Sequence, residues 1–223
     1  MLKNFLLVFL LSSLAACQAS KTVDTPVLDS PGKTVHVQFS LTATGQPSYQ
    51  VSFNGKEVVA PSLLGLDIQG QNFRDGFKIV DRSEHTFDQT WKPFYGEVAE
   101  IREHFNEMTI SLENAEGRKM NIIFKAFDDG AGFRYEIPAQ DGIDSIVVAN
   151  ELTEFQMTAD HKTWWIPGDW DSNEHIYSTS KISEIDATPY NEGPVPISTQ
   201  KIVDVHSVHT PLAMQMADGT HLV

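Results

Sequence analysis

The sequence predicts an all-β fold, an antiparallel β-sandwich or barrel, on three observations. Apolar residues recur with a period of two from residue 33 onward. The runs are joined by Gly, Asn and Asp turns. No stretch carries a convincing 3.6-residue period with caps, and the nearest helical candidate, residues 97–105, is short.

The elements follow in order. Val35, Val37, Phe39 and Leu41 alternate with polar residues, as a half-buried strand requires. Tyr49, Val51 and Phe53 repeat the pattern. Asn54-Gly55 then turns the chain toward Lys56–Val59, the strongest short hairpin signal because both turn positions need φ > 0. Leu64, Leu66 and Ile68 form a further run. Met108, Ile110 and Leu112 lead into Asn114-Ala-Glu-Gly117, and Met120, Ile122, Phe124 and Ala126 return from it. Phe133, Tyr135 and Ile137 follow Asp128-Asp-Gly130, a third connection of the same kind. Glu97, Glu100, Glu103 and Glu107 read as a solvated face. Residues 187–197 carry three prolines and are expected to loop, with alternation resuming at Ile202. Leu212, Met214 and Met216 lead into the turn Ala217-Asp218-Gly219, and Thr220–Val223 starts a return strand. A sheet ending there would present an unpaired edge, so the sequence is expected to be a truncated piece of a longer protein.

Composition narrows the function classes. With 223 residues the chain suits one large domain or two small ones. Acids outnumber bases 30 to 16, a formal charge of −14, which argues against a nucleic-acid partner. Hydrophobic residues at 41% are too many for a disordered chain. No apolar run approaches the roughly 18 residues of a bilayer span. One cysteine excludes an intrachain disulfide and a Cys-based zinc cage.

The first residues read as an address. Lys3 is the single cation of a short n-region, Phe5–Leu11 is an apolar core, and Leu14-Ala-Ala-Cys17 closes it. That run resembles the bacterial lipoprotein box, in which the cysteine is acylated and becomes the mature N-terminus. The alternative is a soluble exported protein with a chance cysteine beside its cleavage site. On the lipoprotein reading, residues 1–16 are a signal peptide, Cys17 is lipidated, and residues 17–29 are a tether to a domain over 30–223. Cleavage takes Lys3 away and leaves −14 − 1 = −15 on the mature chain. So acidic a surface is repelled by anionic headgroups, and only acyl chains would hold it at a membrane, in the periplasm or at the outer membrane.

Chemistry concentrates in residues 160–175. Trp164, Trp165 and Trp170 are three of the four tryptophans, accompanied by Asp160, Asp169, Asp171, Glu174, His161 and His175. Indole faces stack on sugar rings, and carboxylates accept from hydroxyls or hold hard cations. Trp164, Trp165, Asp169, Trp170 and Asp171 are therefore the candidate substrate-binding residues. Adjacent residues on a strand face opposite ways, so at least one of Trp164 and Trp165 belongs to the core. A helix-loop-helix calcium site is excluded, because its acidic run with Glu at the twelfth position is absent. No Gly-x-Ser-x-Gly elbow occurs. His206 and His209 lie in a strand-like pattern that points them apart rather than together as a zinc pair. Nothing in the pattern selects two carboxylates to converge for glycoside chemistry.

Five blocks carry a resemblance. Pro61-Ser-Leu-Leu-Gly-Leu66, Thr90-Trp-Lys-Pro-Phe-Tyr-Gly-Glu97, Arg102-Glu-His-Phe-Asn106, Phe124-Lys-Ala-Phe-Asp-Asp-Gly-Ala-Gly-Phe-Arg-Tyr135 and Trp164-Trp-Ile-Pro-Gly-Asp-Trp-Asp171 resemble the N-terminal domain of glycoside hydrolase family 97. They span nearly all of the expected mature chain, in the expected order. The resemblance implies a galactose mutarotase-like β-super-sandwich belonging to an exported, calcium-dependent, exo-acting bacterial α-glucosidase or α-galactosidase. It implies as partners an α-linked oligosaccharide and the enzyme's own (β/α)8 catalytic barrel, which these 223 residues lack. The segment Asp171-Ser-Asn-Glu174-His-Ile-Tyr177 resembles the one that lends a glutamate to the active-site Ca2+, with Glu174 as the matching residue and no catalytic residue in this chain. Two other classes stand beside this one: a stand-alone carbohydrate-binding surface lipoprotein using the Trp164–Trp170 loop, and a structural envelope protein.

Overall fold

A computed structural model describes residues 25–170, 173–192 and 202–223. Two four-stranded antiparallel sheets face each other. The first is β1 (Val27–Asp29), β2 (Val35–Leu41), β3 (Pro47–Phe53) and β4 (Lys56–Leu63), in that order. The Asn54-Gly55 turn closes β3 onto β4 with both residues at positive φ, 49° and 75°, as the sequence predicts, and Phe53 pairs with Lys56. Two short strands follow, β5 (Leu66–Ile68) and β6 (Gln71–Phe73). The second large sheet comprises β7 (Phe77–Trp91), β8 (Ile101–Asn114), β9 (Lys119–Phe127) and β10 (Gly130–Glu136), side by side in order. β11 (Val148–Glu151) joins β5 and β6 in a small third sheet. A fourth is built in the order β13 (Ser178–Lys181), β12 (Lys162–Trp165), β14 (Ala213–Gln215), β15 (His221–Leu222). The fold is an antiparallel β-sandwich.

Period two decides which side chains meet. Val35, Val37 and Phe39 from the first sheet pack against Met108, Ile110, Leu112, Met120, Ile122 and Phe124 from the second, all in one buried cluster. Phe124 sits at its centre, with ring centroids 6.1 Å from Phe39, 6.3 Å from Tyr49 and 5.7 Å from Phe133. Tyr49 spends its hydroxyl on the Glu154 carbonyl at 2.9 Å, and burial pushes its pKa well above the ordinary phenol range.

Several expectations are corrected. The tether does not run to Asp29: Val27–Asp29 pairs with β2, and the Leu28–Val37 register turns Leu28 into the core. Residues 101–105 of the nearest helical candidate are strand, the start of β8, and of the four glutamates read as a solvated face Glu97 and Glu100 are exposed while Glu103 and Glu107 are half-buried. Glu97 and Glu100 lie in the turn, Glu103 accepts from Gln89 Nε2 at 2.6 Å, and Glu107 is 3.9 Å from Lys125. The strand expected from Ile202 is reduced to isolated bridges at Ile202 and Val208. Within the expected 187–197 loop, Thr188–Glu192 forms a 3-10 turn.

β7 and β8 are the longest strands. From Phe87 to Trp91 they run on as a two-stranded ribbon, held by Phe87 stacked on Phe105 at 4.9 Å and by a two-pronged Arg102–Asp88 pair at 2.7 and 2.8 Å. Its tip exposes Trp91, Phe94 and Tyr95.

The turns that end the sandwich are tied across it. Asp128, between β9 and β10, accepts from the Gly32 amide at 2.6 Å, and its carbonyl accepts from Thr34 Oγ1 at 2.6 Å. The Gly32 amide holds the Asp128 carboxyl below the usual carboxylate range. A depressed native value means that the charged form stabilises the fold above the ordinary pKa of about 3.9, and that this is lost as pH falls through the native value. Asp128→Asn is accordingly expected to flatten the fall in urea stability below about pH 4. An unchanged slope would refute the tie. At the centre, Phe124→Ala is expected to cost about 3–5 kcal/mol in urea unfolding.

Candidate functional site

The acidic, tryptophan-rich segment begins on β12. Its ladder with β13 pairs Trp164 with Thr179 and Trp165 with Ser178, so Thr163 and Trp165 turn inward while Lys162 and Trp164 turn out. Trp165 is 3% exposed, donates from Nε1 to Ser180 Oγ at 3.0 Å and packs on Tyr190 at 6.0 Å. Trp164 is half-buried, covered by Lys162 Nζ at 4.7 Å and by the His221 ring at 6.1 Å.

Beyond β12 the chain Ile166–Asp169 stays buried without belonging to a sheet, so its backbone groups need other partners. The segment 202–209 supplies them. Gly168 N–H donates to Ser207 O at 2.9 Å, Val203 N–H to Gly168 O at 2.7 Å, and His209 N–H to Ile166 O at 3.1 Å. Glycine suits this close approach, since a Cβ on residue 168 would lie 3.0 Å from that of Ser207. The Asp169 amide donates to His209 Nε2 at 3.1 Å. His206 Nδ1 is 2.9 Å from Ile185 O, so the two histidines serve different carbonyl and amide partners and form no metal pair.

The Asp169 side chain is 0% exposed, and its Oδ2 lies 2.9 Å from Nε2 of His175, which is 13% exposed. A buried carboxylate needs such a charge-assisted partner. His175 meets the Tyr190 ring edge-on at 5.5 Å. The Tyr190 hydroxyl donates to Ile176 O at 3.1 Å and bonds Ser178 Oγ at 2.6 Å. From this anchored base, Trp170 (71% exposed), Glu174, Ile176 and Tyr177 face solvent.

Of the sequence-predicted residues, Trp170 and Glu174 are at the surface, Trp164 is at its margin, and Trp165 and Asp169 are interior. Asp171 and Cys17 lie outside the described residues. His175, Tyr190 and His209 complete the arrangement: the sequence places His175 in the acidic patch and offers His209 only as a zinc partner, while Tyr190 carries no signal, since its partners sit in segments with no period to read. Among the described residues no group of three or more His, Cys, Asp or Glu gathers as a metal site. Nearby carboxylates lock turns: Asp160 is held below its usual range by the Ser183 amide and hydroxyl, and Asp186 by Thr188.

Residues 28–223 match the sequence model described as glycosyl-hydrolase 97 N-terminal. The chain belongs to this family. Glycoside hydrolase family 97 enzyme from Pseudoalteromonas sp. strain K8, solved with acarbose, superposes with a TM-score of 0.72 at 30% identity, over 88% of this chain and 27% of that one. A variant of an enzyme from the same strain, solved with panose, gives the same TM-score at 29% identity. A β-arabinopyranosidase structure covers 69% of this chain and 26% of its own, with a TM-score of 0.64 at 28% identity. A probable retaining α-galactosidase of Streptomyces bingchenggensis is 24% identical over 135 residues, 60% of this chain and 20% of that protein. The chain thus spans about a quarter or less of the length of these relatives.

Trp165 and Trp170, two of the three tryptophans of the family's block, are expected to behave oppositely. Trp165→Ala should cost about 3–5 kcal/mol in urea unfolding, whereas Trp170→Ala should stay within about 0.5 kcal/mol of the parent. Equal losses would contradict the interior and exterior placement.

Proposed function

We propose that the chain is the N-terminal, non-catalytic domain of a calcium-dependent, exo-acting α-glycosidase, where it buttresses a (β/α)8 catalytic barrel and lends Glu174 to the active-site calcium. The observation that carries this is the family match over residues 28–223, together with structural relatives of which the chain covers only 27%. Acarbose and panose in those relatives support an α-linked oligosaccharide as the substrate class. The exposed tip of the β7–β8 ribbon supports a packed neighbour, because apolar patches on a sheet edge are covered in stable assemblies.

Calcium takes six to eight oxygens, and among the described residues no group of three or more His, Cys, Asp or Glu gathers to supply them, while Glu174 is exposed on its loop. That fits one ligand of a shared site and not a complete one. When bound, the ion would orient substrate and tune neighbouring acids. This chain's part is to deliver Glu174 from a rigid base and to hold Trp170 beside it, where the indole face can meet a sugar ring. The acid and the base or nucleophile belong to the barrel, so the 223-residue product is expected to hydrolyse nothing by itself. Residues 1–16 act as the export signal and lipid on Cys17 anchors the enzyme to a membrane.

The exposure of Trp170 also favours a second reading, a stand-alone carbohydrate-binding lipoprotein. The experiment separates the two. In the complete natural polypeptide, Glu174→Gln is expected to raise the calcium needed for half-maximal hydrolysis of an α-linked aryl glycoside and to lower the rate, with the melting temperature kept. Unchanged calcium titration and rate would rule out the assigned role. A natural product near 25 kDa that binds maltooligosaccharide without hydrolysis would move the reading to the binder.

A further inference from the structure

We infer that the buried Asp169–His175 pair is a positioning element that fixes where the Glu174 carboxylate is presented. This rests on the calcium reading above and goes beyond it by assigning the residues that aim the ligand.

Residues 173–177 form no ladder with any strand, so backbone pairing does not set their path. Side chains set it instead. His175, next to Glu174, gives its Nε2–H to Asp169 Oδ2 at 2.9 Å. Ile176 is held through its carbonyl by the Tyr190 hydroxyl at 3.1 Å, and that hydroxyl also bonds Ser178 Oγ at 2.6 Å. Three of the four residues after Glu174 are thus fastened. Asp169 can serve as the fixed end because its own backbone is fastened too, by its amide to His209 Nε2 at 3.1 Å and by its bridge to Ile202. Hydrogen bonds therefore run from segment 202–209 to Asp169 and from Asp169 to His175, the residue that follows Glu174 in the chain. The burial of the Asp169 carboxylate favours keeping the His175 bond, since a buried carboxylate that loses a donor is not compensated by water.

An unconstrained surface glutamate would surrender rotamer and loop freedom each time it met a cation, and a held one surrenders less. Second-layer partners of this kind typically govern metal affinity by 10–100-fold.

The test is calorimetric calcium titration of the complete natural polypeptide, with thermal melts recorded in parallel. His175→Phe keeps the ring against Tyr190 and removes the N–H. It is expected to weaken calcium binding by about ten-fold or more and to lower the melting temperature, since the buried Asp169 carboxylate loses a donor. His175→Gln restores a donor and is expected to recover most of the loss, a rescue that a merely space-filling histidine would not show. Glu174→Gln serves as the reference. If it weakens binding and His175→Phe binds as the parent does, the positioning role is overturned and the calcium reading stands. If Glu174→Gln itself binds as the parent does, the calcium reading falls and the positioning role with it. Should His175→Phe fail to fold, Asp169→Asn replaces it: the volume and the backbone anchors stay and the charge goes. Weakened calcium binding in that variant supports the inference, and parental affinity overturns it.

Discussion

Everything in this domain hangs on the contact between two sheets through an aromatic seam. Phe39 and Tyr49 reach in from one sheet and Phe124 and Phe133 from the other, with centroids 5.2–6.3 Å apart. None of these strands could bury its inward face alone, and neither sheet is stable as a single layer in water. Once the seam is closed, the ends of the sandwich become fixed points. Asp128 ties the β9–β10 turn to Gly32 at one such point. At another, Lys56 of the β3–β4 hairpin pairs with Asp218 of the β14–β15 turn, linking the first sheet to the fourth. The tryptophan-rich segment is therefore carried by a sheet that is itself fastened to the sandwich.

The same logic explains why the surface loop after Trp170 has a defined base. A strand in a sheet inherits its geometry from its neighbours, but a loop has to find it elsewhere. Here the source is a buried carboxylate that cannot be left alone, a histidine that answers it, and a tyrosine whose hydroxyl serves two partners. A site on such a loop is more precise than its lack of regular structure suggests. Burial also separates two roles that composition lumps together. Trp165 and Asp169 lie inside as framework, and Trp170 and Glu174 lie at the surface.

Much of the sandwich was legible in the sequence because its signals are local. Alternation in β2, β3, β8 and β9 and the Asn54-Gly55 turn follow from period two and from the φ > 0 requirement, and each needs only a few neighbouring residues. β1 was read as tether because three residues are too few to show a period, and only pairing with β2 reveals them. Residues 97–105 looked nearest to helical because β8 changes which side its apolar residues occupy. Phe105 lies against Phe87 and Phe127, while Met108, Ile110 and Leu112 face the core. At the site, the density of Trp and acid singled out the segment that the structure builds on the Asp169–His175 pair, and the resemblance singled out Glu174. The inward turn of Asp169 toward His175 was not legible, since it depends on the bonds from 202–209, some thirty or more residues away.

A domain that contributes one ligand to a shared ion has a consequence for the whole enzyme on the proposed reading. A cation held by oxygens from two domains binds only when they are docked, so its binding free energy is also docking free energy. The linkage is reciprocal: whatever holds the sandwich against the barrel raises calcium affinity by the same factor. The acidic balance of the chain, −14 formally, works in the same direction near the site, because a bound dication offsets repulsion that the apo form would bear. The ribbon tip with Trp91, Phe94 and Tyr95 and the loop with Glu174 then act on one equilibrium, the first through apolar burial and the second through the ion. Losing either would loosen the other, although the two segments share no contact within this domain's strand pairing.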